Sequence, residues 1–212
     1  SSHITFNDCA MANVLRFLKK ILDGKGDYRV LTLPDGYQEK VKHAFDKGIE
    51  CILKCQIIKD GKPTVWCQQH DEITLLPAKA RDFELASFTG AGETPDILML
   101  LMSIDSPSSD IVNAVKAGIN WLEQHEMKNI KLENFINQDG KKDRRLVQKQ
   151  GAPPLWARYY DLQNELPFFC DRDGIAKQQL EDIGYERRNG YGWVNDSPQK
   201  AIDFYYNQWK YK

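Results

Sequence analysis

The chain has 212 residues, with 29 Lys plus Arg against 30 Asp plus Glu and a net charge of −1. That length buries a sizeable core without disulfide or metal staples. The even balance excludes a binder of nucleic acid or anionic membrane that works by bulk charge, and the longest apolar run, Ile97–Met102, is too short to span a bilayer. Five Cys, at 9, 51, 55, 67 and 170, are odd in number and irregular in spacing, so they form no disulfide framework and leave the compartment open. The chain opens Ser1-Ser2-His3 with no signal-like apolar stretch, so any leader is expected to lie outside it.

In chain order, Met11, Val14, Leu15, Leu18, Ile21 and Leu22 follow the 3,4 spacing of one buried stripe, which predicts a helix over Ala10–Leu22. Asn7 and Asp8 stand at its mouth, and Gly24 and Gly26 end it. A loop with a Pro-Asp-Gly turn fills 31–37, and a second striped helix is expected over Tyr37–Ile58. Asp60-Gly61-Lys62 reads as a turn, Pro63–His70 as extended, and Pro77 as the start of a short helix through Arg81 and Glu84. Pro95 suits the first turn of a helix to Ile104. Ser108 or Ser109 caps another over Asp110–His125. The texture then changes to short strands at 130–136, 146–148, 156–161 and 168–171, followed by a terminal helix over Pro198–Trp209. Helices that each bury one stripe need partners, so the expectation is a mainly α helical toroid or bundle with a small β-containing C-terminal part.

Arginine is distributed unevenly. Between Arg144 and Arg188 there are six Arg and two Lys, whereas the rest of the chain has three Arg and eighteen Lys. The guanidinium fork grips carboxylate or phosphate in two places. Here it is interleaved with Trp156, Tyr159, Tyr160, Phe168, Phe169, Tyr185 and Tyr191, which suits a ligand with anionic groups and flat faces. The plainer reading is a set of structural ion pairs, with Arg187 and Arg188 pinning the C-terminal turn through Glu186. Cys51, Cys55, Cys67 and His70 give C-x₃-C-x₁₁-C-x₂-H, a possible zinc set with a spacing irregular for known modules. Trp66 and Trp156 are core residues or stacking platforms, and His70-Asp71 points to a structural role.

Three stretches carry a family resemblance: His3-Ile4-Thr5-Phe6-Asn7-Asp8; Trp66-Cys67-Gln68-Gln69-His70-Asp71 with Pro77-Ala78-Lys79-Ala80-Arg81; and Pro153-Pro154-Leu155-Trp156-Ala157-Arg158-Tyr159-Tyr160 through Phe168–Gly174 to Glu186–Tyr191. Together they resemble the family 10 polysaccharide lyases, pectate lyases with an (α/α)₃ toroid, along the whole chain. The resemblance implies an incomplete (α/α)₃ toroid in which residues 1–212 are the C-terminal part of one catalytic domain. A second calcium-site Asp would be carried upstream of His3.

The same resemblance implies calcium-dependent anti β-elimination of α-1,4-polygalacturonate to 4,5-unsaturated oligogalacturonates, in a secreted or periplasmic protein expected to be a monomer. It makes Arg81 the proton-abstracting base, Asp8 a Ca²⁺ ligand, and Arg158 and Arg172 the forks on substrate carboxylates. Lys54 is a further substrate contact, with Lys47 as a competitor. An Arg base is chemically demanding, since its pKa lies above about 12. Two other readings stay open: a non-catalytic polyuronate-binding piece, and a toroid glycoside hydrolase using Asp71 with Glu84 or Glu93.

Overall fold

A computed structural model describes residues 2–30 and 32–210. Six α-helices are α1 (Ala10–Leu22), α2 (Tyr37–Cys55), α3 (Glu93–Met102), α4 (Ser109–Gln124), α5 (Tyr185–Gly190) and α6 (Ser197–Phe204). Twelve strands, most of them two residues long, are β1 (His3–Thr5), β2 (Ile58–Lys59), β3 (Lys62–Pro63), β4 (Gln69–Asp71), β5 (Phe88–Thr89), β6 (Ile130–Ile136), β7 (Lys142–Gln148), β8 (Trp156–Ala157), β9 (Tyr159–Tyr160), β10 (Pro167–Cys170), β11 (Ala176–Lys177) and β12 (Val194–Asn195).

These elements correct the expected toroid. Helix makes up 42% and strand 19%, the strands lie in small sheets, and no α toroid is shown. The physical reason is that α1 packs on α2 and α3 on α4, but the chain then closes over them with α6 and small sheets rather than with a further pair of long helices. The hub is α3, whose Ile97, Leu98, Leu100, Leu101 and Met102 are all buried. It packs against α1, α4 and α6. Around its N-terminal end runs an antiparallel sheet in the order β11-β10-β9-β5, with β8 paired to β12 alongside. Close approach is set by glycine at two helix crossings. A Cβ at Gly48 would lie 2.3 Å from a Leu15 methyl, and one at Gly118 would lie 2.9 Å from a Leu98 methyl.

The striped helices α1, α2 and α4 lie where the periodicity places them, and Ser108 caps α4 by accepting from the Ile111 amide. α2 stops at Cys55 rather than Ile58, because Ile58–Lys59 turns back through Asp60-Gly61 to pair with Lys62–Pro63. α3 begins two residues before Pro95. The loop expected over 31–37 includes Leu31, which lies outside the described residues; Asp35-Gly36 turns into α2. The helix expected from Pro77 does not form. Pro77 bridges His70 as an extended residue, and 80–84 closes as a turn, the Ala80 amide donating to the Glu84 carbonyl and the Glu84 amide to the Arg81 carbonyl. The β6–β7 hairpin pairs seven residues on each side, longer than the strand expected at 146–148. The terminal helix changes at Tyr205 into a π-turn.

His70 is fully buried and structural. Its Nε2 accepts from the Cys67 amide and its Nδ1 faces the Leu75 carbonyl at 2.8 Å, so neither nitrogen is available for the zinc arrangement. All five Cys are free thiols. Trp66 and Trp156 are core residues, their indole N–H groups donating to the Ile52 and Leu122 carbonyls. Among the described residues no helix is long and apolar enough to cross a membrane.

Candidate active site

Three of the singled-out cations meet around two aromatic rings. Arg81 stands on the tight turn before β5, Arg158 between β8 and β9, and Arg172 just after β10. Phe83 is the shared floor: the Arg81, Arg172 and Arg187 guanidinium carbons lie 5.1, 5.8 and 4.2 Å from its ring centre. Tyr191 stands edge-on to Phe83 at 5.3 Å and carries Arg158 at 4.9 Å and Arg187 at 5.5 Å from its own centre. Four guanidinium groups therefore share one patch. Cation–π contact offsets part of their mutual repulsion.

Buried carboxylates supply the rest of the balance. Arg158 donates from Nη2 to Glu93 Oε1 at 2.8 Å, and Gln68 donates to the same oxygen at 3.1 Å. Glu93 is buried at the start of α3, where a negative side chain is favoured by the helix dipole. Burial pushes the Glu93 carboxyl up, while Arg158 pulls it back. Burial opposes the charge on Arg158 most strongly, but the Glu93 carboxylate together with Tyr159 and Tyr191 outweighs it and holds the guanidinium charged. Gly92 lies against this side chain, a Cβ there falling at ordinary contact distance, 3.4 Å, from Arg158 Cγ. Trp156 and Tyr160 form no surface with Arg158. The chain breaks its strand at Arg158, so both aromatics enter the core and Arg158 rests on Tyr191.

Arg81 is held differently. Its Nε donates to Glu84 Oε2 at 2.6 Å and its Nη2 donates to Oε1. The Arg81 side chain is 57% exposed while that of Glu84 is 1% exposed. Tyr191 donates its hydroxyl to Glu84 Oε1 at 2.8 Å, and the Tyr159 and Tyr191 hydroxyls lie 2.7 Å apart. The Glu84 hydrogen bonds raise the pKa of Arg81 above the usual arginine range. Burial, above all, pushes Tyr191 up to about 12.

Arg172 is open to solvent and bonds weakly to Glu186 at 3.4 Å. Arg187 and Arg188 separate. Arg188 forks onto Asp143 of β7 at 2.8 Å through both Nε and Nη2, a structural tie, whereas Arg187 lies on Phe83 within the patch. Asp8 and Cys9 are both left-handed (φ 50 and 59) and neither caps α1. Asp8 is exposed, and its carboxylate makes no hydrogen bond or ion pair among the described residues. The neighbouring Cys9 Sγ donates to Asp96 in the first turn of α3, which places Asp8 at the same end of that helix as Glu93. Asn7 Oδ1 beside it is buried and without a partner among the described residues. Oxygen donors of this kind fit Ca²⁺. Among the described residues no three His, Cys, Asp or Glu come together to hold a metal.

Lys54 is not part of this patch. It lies on the exposed face of α2 and shares Glu50 with Lys47, each at 2.7 Å. Phe83 was not singled out in the sequence, Gln68 only as part of the resemblance, and Glu84 and Glu93 only as carboxylates of the hydrolase reading, not as partners of Arg81 and Arg158.

The family model for pectic acid lyase matches residues 1–202. A mutant of the family 10 polysaccharide lyase from Cellvibrio cellulosa, in complex with trigalacturonic acid, is 31% identical with a TM-score of 0.85, over 96% of this chain and 62% of that one. The family 10 polysaccharide lyase from the same organism is 31% identical with a TM-score of 0.84, over 99% of this chain and 63% of that one. The chain thus spans about three fifths of the length of these solved structures. A 47-residue stretch, 22% of this chain, is 40% identical to 8% of the mitochondrial altered inheritance of mitochondria protein 9 of Meyerozyma guilliermondii. With the match running over nearly its whole length, the chain belongs to the pectic acid lyase family.

Proposed function

We propose that residues 1–212 are the C-terminal part of one catalytic domain of a calcium-dependent pectate lyase. It would cleave α-1,4-polygalacturonate by anti β-elimination to 4,5-unsaturated oligogalacturonates, in a secreted or periplasmic setting. The observation that carries this is the gathering of Arg81, Arg158 and Arg172 on Phe83 and Tyr191. A uronic acid presents a carboxylate on the carbon next to C5, so the C5 proton becomes removable only when that carboxylate is neutralised. Arg158, fixed by Glu93, and Arg172, free to adjust, are the forks that would hold the carboxylates. Arg81 takes the C5 proton, the C4–O4 bond breaks, and no water is added. Asp8 would hold the calcium ion with substrate oxygens completing its shell; when bound, the ion neutralises the same carboxylate.

The test is ultraviolet absorbance of unsaturated product on polygalacturonate at alkaline pH. The expected outcome is a rise abolished by a chelator and by Arg81→Ala. Elimination that survives in Arg81→Ala removes Arg81 as the base.

A second reading draws on the absence, among the described residues, of three His, Cys, Asp or Glu placed to hold a metal. In that reading the chain binds polyuronate without turning it over. Calorimetry would then show trigalacturonate binding that is lost in Arg158→Ala and Arg172→Ala, with no unsaturated product. The hydrolase reading has little support, because Glu84 and Glu93 are taken up by guanidinium groups and Asp71 by the Ile73 and Thr74 amides.

A further inference from the structure

We infer that Glu84 is a positioning residue that orients Arg81 and selects which of its nitrogens can accept a proton, with Tyr191 holding Glu84 in turn. This rests on the reading of Arg81 as the base. A neutral guanidine carries its lone pair on one nitrogen only. Glu84 takes N–H bonds from both Nε and Nη2; Nε has one hydrogen and must keep it to hold the fork, whereas Nη2 has two and can lose one without breaking its bond. The imine lone pair therefore falls on a terminal nitrogen and never on Nε, and Nη1 is the terminal nitrogen that has no partner among the described residues. The fork also stops rotation about the last bonds of a long side chain, and leaves Nη1 on the exposed side. A carboxylate that fixes the tautomer and orientation of a base, and stabilises its protonated form, is the same logic that operates in carboxylate–histidine pairs.

The step balances without a further reactant. The C5–H bond breaks and its proton goes to Nη1. The electron pair becomes the C4–C5 double bond as the C4–O4 bond breaks. The leaving oxygen takes a proton from solvent, and Arg81 later returns its own. Tyr191 is suited to hold Glu84 because its hydroxyl is anchored to Tyr159 and its ring is fixed beneath Arg158. The groups facing Arg81 are Glu84 on its own turn, Tyr191 and Tyr159, and, across Phe83, Arg172 and Arg187 with their counterion Glu186. Of these, only Glu84 bonds the guanidinium directly.

The experiment compares Glu84→Gln, Glu84→Asp and Tyr191→Phe with the unaltered chain, by kinetics on polygalacturonate and by nitrogen-15 resonances of the Arg81 side chain. Glu84→Gln is expected to lower kcat roughly 100-fold with little change in KM, and to move the acid limb of the kcat profile down by about one pH unit as the neighbouring negative charge is lost. Glu84→Asp keeps the charge and should restore the position of the limb, with kcat between the two. Tyr191→Phe should lower kcat several-fold. In the resonances, the unaltered chain should show a slowly exchanging Arg81 Nε–H and two resolved Nη groups, which collapse to one average in Glu84→Gln. That readout does not need turnover: a chain that eliminates nothing but shows the resolved pattern overturns the lyase reading and leaves the fork standing. A kcat within twofold and an unmoved limb in Glu84→Gln, or averaged Arg81 resonances in the unaltered chain, would overturn the role of Glu84. Should Glu84→Gln fail to fold, the limb in Glu84→Asp and the Arg81 resonances in Tyr191→Phe decide between the same outcomes.

Discussion

Two cation–carboxylate contacts of nearly equal length have opposite physical meaning in this molecule. On α2, Lys54 meets Glu50 at 2.7 Å with both side chains largely in water. At the entrance to α3, Arg158 meets Glu93 at 2.8 Å with side chains 17% and 3% exposed. Water screens the first and replaces it readily when it is lost. Nothing replaces the second: removing one partner leaves the other charged and dry. The helical N-terminal region is thus held by apolar stripes with exchangeable charges on its surface. In the region from 156 to 193, Arg158 and Arg187 are largely withdrawn from water while Arg172 stays in it, and there the guanidinium groups collect.

The largest effect expected from breaking this contrast is in Arg158→Ala. Leaving Glu93 buried and unpaired should lower stability by about 3–5 kcal/mol and abolish trigalacturonate binding. The pH dependence carries the sign. Burial raises the Glu93 carboxyl above its unfolded value. A raised acid disfavours the folded state only when it is ionised, so the cost is absent below the unfolded carboxyl range and grows as pH rises through the folded value. Chemical denaturation of Arg158→Ala should therefore show the deficit shrinking on acidification. A deficit constant with pH would mean that Arg158 acts through packing alone.

A smaller effect is expected where the same kind of fork lies just beneath the surface. Arg188 and Asn189 on α5 clasp Asp143 of β7, and the Arg188 hydrogen bonds hold its carboxyl well below the usual range. Asp143→Asn should cost about 1–3 kcal/mol, less than the loss of Arg158, because Arg188 keeps the Glu181 and Ile183 carbonyls as partners. Here the sign reverses. The depressed carboxyl contributes stability above its unfolded value, and that contribution is lost as pH falls through the folded one. The Asn variant should therefore converge with the unaltered chain in acid. Persistent separation at low pH would place the cost in the hairpin rather than in the charge.

What the residues announced follows the same division. α1, α2 and α4 were legible because one buried stripe at 3,4 spacing decides a helix locally. The first strand of the β6–β7 hairpin was legible at 130–136, whereas its partner was expected only over 146–148 and begins at Lys142. A toroid or bundle was inferred from stripes taken two by two, and the toroid fails because most of α3 is buried, Asp96 and Met99 only partly, and a strand-rich C-terminal region closes over its start. The turn at 80–84 was misread as helix because the pairing of Pro77 with His70 is a tertiary fact. At the site, Arg81, Arg158 and Arg172 came from family resemblance, and their gathering on Phe83 was not visible in spacing. Glu84 and Glu93 look like surface acids in the sequence, since only the folded chain shows them buried beneath guanidinium groups.

The smallest effect tests the exposed side of the comparison. Lys54→Ala should leave the melting temperature unchanged, because Glu50 keeps Lys47 as a partner at 2.7 Å and both lie in solvent. Its influence on substrate is a separate matter. Lys54 is remote from Phe83 in every contact it makes, sharing its surface hollow with Glu50, Leu53, Gln56, Pro63 and Asp110. If polyuronate reaches only the guanidinium patch, KM for polygalacturonate stays as it was. If a long chain also crosses α2, KM rises for the polymer and not for trigalacturonate, because only the longer ligand spans both regions. Polymer and trimer measured on the same variant therefore separate a solubilising lysine from a distant subsite, with no change in stability to confound the answer.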